Sequence, residues 1–405
     1  MIVLTGADIV LPDRVLPRGS VVVEGTRIAA LEPHVIDPPQ GATRVDLTGH
    51  LVMPGFIDVH VHGVDGYDVL GGDNAVAQVA ARLPRYGVTA FCPTSIACRP
   101  AALAAMLGEV ARLGRDTAAA AARVLPAHLE SNFINPEYHG AQPLDCLRLP
   151  PSRFAAPGSA PDGEFSARDI LDILDACRTS IGIVTLAPEI DGGVDLARDL
   201  VGAGHIVSIG HSGASYDLAR AAFDAGVRHA THLFNRMAPM SHRAPGVAGA
   251  VLESEQVVAE LICDGFHVHP ALMRVAIRTK GVPGIMAITD GTAGAGLPAG
   301  ARTTLGGRLI VVTERTAELE DGTLAGSVLT MDGAFRTLVR QVGVSVVEAA
   351  ALCATSPARQ LGLADTGRLA VGLTADLVVL DDQLRVSQTY LAGRLWRNPA
   401  AGPLV

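Results

Sequence analysis

Residues 54–63 read Pro54-Gly55-Phe56-Ile57-Asp58-Val59-His60-Val61-His62-Gly63, an apolar run that ends on two histidines one residue apart. The alternation predicts a strand over 56–62, with Asp58, His60 and His62 on one face and Ile57, Val59 and Val61 on the other. Two imidazoles on one face can reach one divalent ion, and a Gly-rich turn just past them puts such a site at the strand's carboxyl end.

Downstream of this strand, short apolar runs alternate with amphipathic or alanine-rich ones. Strands are expected at 56–62, 89–93, 124–129, 183–186, 206–209, 229–232, 257–262 and 285–289. Helices are expected at 75–83, 101–113, 167–178, 194–201, 216–225 and 270–279. Eight β-α units predict an α/β fold, a TIM-like (β/α)8 barrel over residues 51–365. Residues 1–50 and 366–405 carry strand-like runs and tight turns without helices, which predicts a small β-sandwich domain built from both termini. The Pro, Ser and Gly run at 149–163 reads as a surface excursion.

The carboxyl ends of barrel strands converge on one mouth. His60 and His62 end the first expected strand, Glu130 follows the third, His211 the fifth, His232 ends the sixth, and Asp290 follows the eighth. All six are metal-ligand types, so a site for one or two divalent ions, zinc foremost, is expected there. If Glu130 bridges, one ion takes His60, His62 and Asp290 and the other takes His211 and His232. His128, two residues before Glu130, is expected to orient it. The other histidines, His229 among them, read as ordinary.

Composition narrows the partners. The 405 residues carry a formal net charge of −9 and no basic run, which argues against a nucleic-acid or anionic-membrane surface. Neither a signal peptide nor a membrane span is apparent, and a cytoplasmic protein is expected. Six cysteines without paired short spacings read as free thiols. Lys280 is the only lysine, and it sits at an expected helix end before Gly281.

Several stretches resemble the amidohydrolase superfamily and, within it, the N-acetylglucosamine-6-phosphate deacetylase family. They are 54–63, Gly210-His211-Ser212, the run from Ala230 to Met237, Arg243-Ala244-Pro245-Gly246, Asp264-Gly265-Phe266-His267-Val268, Ile288-Thr289-Asp290-Gly291-Thr292 and Gly322-Thr323-Leu324-Ala325-Gly326-Ser327. The resemblance implies a metal-dependent barrel, often a homodimer, that converts N-acetylglucosamine 6-phosphate to glucosamine 6-phosphate and acetate. It also implies that Asp290 takes a proton from a metal-activated water and passes it to the leaving amine, that His267 polarises the acyl oxygen, and that Asn235 and Arg243 contact the sugar phosphate, Arg243 from the partner subunit. The chain departs from the family pattern at Ser131-Asn132, at Gln142 where a substrate-contacting histidine is usual, and at Arg236 where alanine is usual. Gln142 and Arg236 are therefore expected beside the substrate. Another N-acyl amino sugar or small amide is the alternative substrate. A cyclic-amide hydrolase is a weaker one, since Lys280 is misplaced for a metal-bridging carbamate.

Overall fold

The computed structural model describes residues 1–115, 121–151 and 164–397, so the excursion expected at 149–163 lies outside the described residues from 152 onward. Eight parallel strands make the barrel: β1 (Phe56–Val61), β2 (Val88–Ser95), β3 (Ala127–Glu130), β4 (Ile181–Leu186), β5 (Ile206–Ile209), β6 (His229–Ala230), β7 (Val258–Ile262) and β8 (Ile285–Ile288). Each pairs in parallel with the next in chain order. The strands are buried on both faces, as parallel strands under a helical layer must be.

Closure between β1 and β8 runs mostly past the strand ends. Asp290 N donates to His60 O at 2.9 Å, and His62 N donates to Gly291 O at 2.8 Å. Beneath them, Thr289 donates its hydroxyl (2.5 Å) and its N–H (3.3 Å) to the two oxygens of the buried Asp58 carboxylate.

Helices follow the strands where local chemistry starts and stops them. Pro100 and Pro270 open α2 (Pro100–Leu113) and α7 (Pro270–Lys280), positions where a missing N–H costs nothing. Ser166 and Asp169 form a capping box on α3 (Ala167–Ala176). Ser215 caps α5 (Tyr216–Asp224). As expected, α7 ends at Lys280, whose ammonium donates to Ser254 O, and Gly281 takes φ 69° beyond it. The barrel is ringed further by α1 (Ala75–Arg82), α4 (Gly193–Gly202) and α6 (Gly246–Glu253).

The chain ends share one eight-stranded sheet in which Leu377–Leu380 pairs with Leu51–Pro54 and Leu51–Pro54 pairs with Ile2–Val10. The sheet thus takes in Leu51–Pro54, past the boundary expected at residue 50. Alternation along it divides the side chains between two cores. Val52, Leu377 and Val379 pack in the terminal sheet's own core with Leu4, Ile9 and Val21, whereas Met53, Val378 and Leu380 pack into the barrel core. A three-stranded antiparallel sheet, Arg302–Leu305, Arg308–Val312 and Ala317–Leu319, was not expected. Its first turn is Gly306-Gly307, with φ 56° and 82°, the two positive values that a two-residue hairpin turn needs.

All six cysteines are free. Among the described residues no helix is long and apolar enough to cross a membrane.

Candidate metal centre

The barrel mouth gathers the six expected ligands into two trios, His60, His62 and Asp290 in one, and Glu130, His211 and His232 in the other. His62, His211, His232 and Asp290 sit one or two residues beyond their strands, where the chain turns. Three of them, His211 (φ 48°), His232 (φ 31°) and Asp290 (φ 50°), adopt left-handed backbone that non-glycine residues rarely take. Such strain persists only where the surroundings enforce it. For His211 the surroundings include Glu189, which accepts from Ser212 Oγ (2.7 Å) and Gly213 N (2.6 Å) and so holds the turn.

In the first trio, Nε2 of His60 lies 3.2 Å from Nε2 of His62, and Asp290 Oδ1 lies 3.1 Å from His62 Nε2 and 3.5 Å from His60 Nε2. In the second, Glu130 Oε1 is 3.0 Å from Nε2 of both His211 and His232, which are 3.1 Å from each other. Glu130 also faces the first trio, with Oε1 3.7 Å from His60 Nε2 and Oε2 3.5 Å from His62 Nε2.

The opposite ring nitrogens decide what this geometry means. His62 Nδ1 lies 2.9 Å from Thr94 O and His211 Nδ1 lies 2.8 Å from Tyr138 O. A carbonyl only accepts, so these Nδ1 atoms carry the protons and the Nε2 atoms present lone pairs. His60 Nδ1 likewise faces Glu260 Oε2 at 2.8 Å. Nitrogen lone pairs and carboxylate oxygens therefore converge, which is stable only around positive charge. Without a metal, protons supply it: burial disfavours charging His60, but Glu260, Asp290 and Glu130 override that and raise its pKa to about 10. His62 and His232 are raised too, against the same burial, by Asp290 and Glu130 respectively among others. Burial opposes ionising Glu130 and Asp290, yet the surrounding imidazoles hold both below the usual carboxylate range. The all-nitrogen-and-oxygen donor set fits one or two divalent cations.

The trios open onto a cavity of about 560 Å³ lined by Gln142, Asn235, Arg236 and His267 as well as by ligands. His267 is held by Asp264, whose Oδ2 lies 2.6 Å from its Nδ1 and whose Oδ1 accepts from the backbone N–H groups of Phe266 and His267. Asn235 is half-buried and donates to His232 O at 3.3 Å. Arg236 is exposed at φ 51°, and its guanidinium lies against Gly140, where a Cβ would come within 2.6 Å of Nε. Arg243 is exposed and does not line its own chain's cavity.

Gln142 is buried and donates to Glu130 Oε2 at 2.6 Å, so it touches the carboxylate that faces both trios as well as facing the cavity. The unusual Ser131 and Asn132 do not line the cavity: Ser131 Oγ donates to Thr185 O, and Asn132 Nδ2 donates to Cys98 O and Cys146 O. His128 makes no hydrogen bond to Glu130. It lies instead between Val59 O (3.1 Å), Thr185 Oγ1 (2.8 Å) and Glu260 Oε1 (3.4 Å), and burial pulls its pKa down to about 3. Sequence reasoning passed over Glu260 and took His229 as ordinary, yet the two are hydrogen-bonded at 2.9 Å directly beneath the ligands.

The amidohydrolase family profile matches residues 51–396, the whole barrel together with the closing strands of the terminal sheet. The chain belongs to the amidohydrolase family. It is 34% identical over 376 residues to the N-acetylglucosamine-6-phosphate deacetylase of Lysinibacillus sphaericus, covering 91% of each chain. It is 33% identical over 370 residues to the N-acetylgalactosamine-6-phosphate deacetylase of Escherichia coli O157:H7, covering 91% of this chain and 92% of that one. Among solved structures it is similar to the N-acetyl-D-glucosamine-6-phosphate deacetylase of Mycobacterium smegmatis, determined as a variant in complex with N-acetyl-D-glucosamine-6-phosphate. That match has a TM-score of 0.85 at 32% identity and covers 97% of this chain and 98% of that one. As a member of this family the chain is a metal-dependent hydrolase.

Proposed function

We propose that the chain deacetylates an N-acetylhexosamine 6-phosphate, N-acetylglucosamine 6-phosphate first, giving glucosamine 6-phosphate and acetate. The observation that carries the proposal is the pair of trios meeting at Glu130 on the floor of a cavity that Gln142, Asn235, Arg236 and His267 also line. Relatives named for this activity match nearly the full length of the chain.

A bound divalent ion, proposed to be zinc, would act as a Lewis acid and bring a water's pKa toward neutrality. Asp290 is ionised and turns Oδ1 to the imidazoles, leaving Oδ2 to take the water's proton and return it to the departing amine. His267, held at the cavity wall through the contact of its Nδ1 with Asp264, is the side chain that polarises the acyl oxygen. Asn235 and Arg236 receive the sugar phosphate. The planar guanidinium of Arg236 suits two phosphate oxygens at once. We propose further that the protein is a homodimer in which the exposed Arg243 reaches the partner's cavity. It is proposed to be cytoplasmic, since its phosphorylated substrate is a membrane-impermeant anion.

Acetate release by zinc-loaded protein from N-acetylglucosamine 6-phosphate, run beside the unphosphorylated sugar, tests the reading. Faster turnover of the phosphorylated sugar than of the unphosphorylated one supports it, and no turnover of either by a metal-replete chain refutes it. N-acetylgalactosamine 6-phosphate is the second substrate to try, because a relative of equal similarity is named for it.

A further inference from the structure

A second polar layer lies beneath the two trios. Glu260 is the third residue of β7, fully buried in an otherwise apolar strand. A buried carboxylate is costly unless its lone pairs are met, and here donors surround it. Oε2 accepts from His60 Nδ1 (2.8 Å) and from the backbone N–H of His232 (3.2 Å), and Oε1 accepts from His229 Nε2 (2.9 Å).

His60 differs from the other histidines of the site in what stands behind it. His62 and His211 rest on backbone carbonyls, and His232 Nδ1 is buried without a partner among the described residues. Of the four histidines in the two trios, His60 alone has an anion behind its Nδ1. That contact fixes which nitrogen carries the proton, which way the ring turns, and how strong a donor Nε2 becomes.

We infer that Glu260 is a positioning residue that enables the His60, His62 and Asp290 trio to hold an ion, acting through His60. The inference rests on the metal-dependent reading of the site and is independent of which sugar is the substrate. Its contact with His232 N is made to backbone, so the second trio's imidazoles do not depend on it in the same way.

Zinc counting provides the test, with metal-stripped wild-type chain, Glu260→Gln and Glu260→Asp titrated against a chelator of known affinity. The wild-type chain is expected to take two ions. Glu260→Gln is expected to keep the ion at Glu130, His211 and His232 and to bind the other about 10- to 100-fold more weakly. Glu260→Asp keeps the charge and is expected to recover part of the loss. On a His60→Gln background, Glu260→Gln should change zinc content no further. Unchanged affinity for both ions in Glu260→Gln overturns the inference, as does a wild-type chain that holds one ion irrespective of Glu260. An additional loss on the His60→Gln background also overturns it, by showing an effect outside His60. If Glu260→Gln does not fold, Glu260→Asp carries the same comparison. An inactive chain that still loses one zinc on substitution would sink the proposed substrate and leave this inference standing.

Discussion

The side-chain amide of Gln142 donates to Glu130 Oε2 at 2.6 Å while its carbonyl oxygen accepts the N–H of Ala97 at 2.7 Å. Gln142 thus ties the carboxylate shared between the two trios to the loop after β2, and leaves Oε1 to face His211 and His232. Gln142→Ala would strip a buried anion of a charge-assisted bond and leave Ala97 N without its partner. A loss of about 1–3 kcal/mol in stability is expected, with turnover reduced because Glu130 is no longer held. Thermal melts and acetate release on the zinc-loaded variant check both effects. A variant as stable and as active as wild type would make Gln142 a bystander.

Asp290→Asn retains a side chain of the same shape that can no longer accept the water's proton. Turnover should fall by about 10²- to 10⁴-fold, the usual contribution of a positioned acid-base group, while the melting temperature changes little. Zinc content must be measured alongside, since Asp290 Oδ1 belongs to the first trio. Loss of turnover with zinc retained assigns the proton role. Loss of both reduces Asp290 to a ligand.

How much of this was legible beforehand can be judged at particular residues. The eight strands were readable because each is a short apolar run between helical patterns, and the convergence of the six candidate ligands because they share strand ends. Glu260 was not read, although a carboxylate inside Val257-Val258-Ala259-Glu260-Leu261 is a signal in itself: a parallel barrel strand is buried on both faces, so a charge there must have partners. His229 was dismissed for the same reason, since its partner had not been seen. The hairpin over 302–312 also left a signal that was passed over, Gly306-Gly307 followed by the strand-forming run Leu309-Ile310-Val311-Val312. By contrast, the left-handed backbone at His211, His232 and Asp290 left no trace in residue type, because the turns that impose it are tertiary.

Arg236→Ala tests recognition of the phosphate. The guanidinium stands exposed at the cavity and rests on Gly140. Its removal should raise KM for the phosphorylated sugar by about 10- to 100-fold, the equivalent of one bond between charged groups, with kcat and the rate on unphosphorylated sugar nearly unchanged. Equal effects on both sugars would show that Arg236 shapes the loop rather than binds the anion.

Metal removal exposes the charge the site was built around. In the metal-free chain His60 has its pKa raised to about 10 from an ordinary 6.5. A histidine raised in this way stabilises the fold fully below the unfolded value and loses that contribution as pH climbs through the folded one. The metal-free chain should therefore lose stability between about pH 6.5 and 10, and the zinc-loaded chain should lose less. Zinc binding at pH 7 should also release protons, because imidazole must be neutral to ligate. Calorimetry in buffers of different ionisation enthalpy measures that release, and a value of zero contradicts the assignment of His60.

Thr289→Val strikes the seam that closes the barrel. Burial raises the Asp58 pKa from 3.8 to about 6, against the opposing pull of the Thr289 hydroxyl. An acid raised on folding contributes most below its unfolded value, and that contribution is lost as pH rises through the folded one, where the charge must be borne inside the protein. Removing the hydroxyl takes away a donor that only the charged form fully uses. The variant should be less stable than wild type by about 1–3 kcal/mol at pH 8, and by less at pH 4, where the carboxyl is largely protonated. Urea melts of the zinc-saturated chains at the two pH values give the comparison. An equal deficit at both would mean that the Thr289 hydroxyl matters to the seam by its packing and its proximity to His60 O, and not by holding the Asp58 charge.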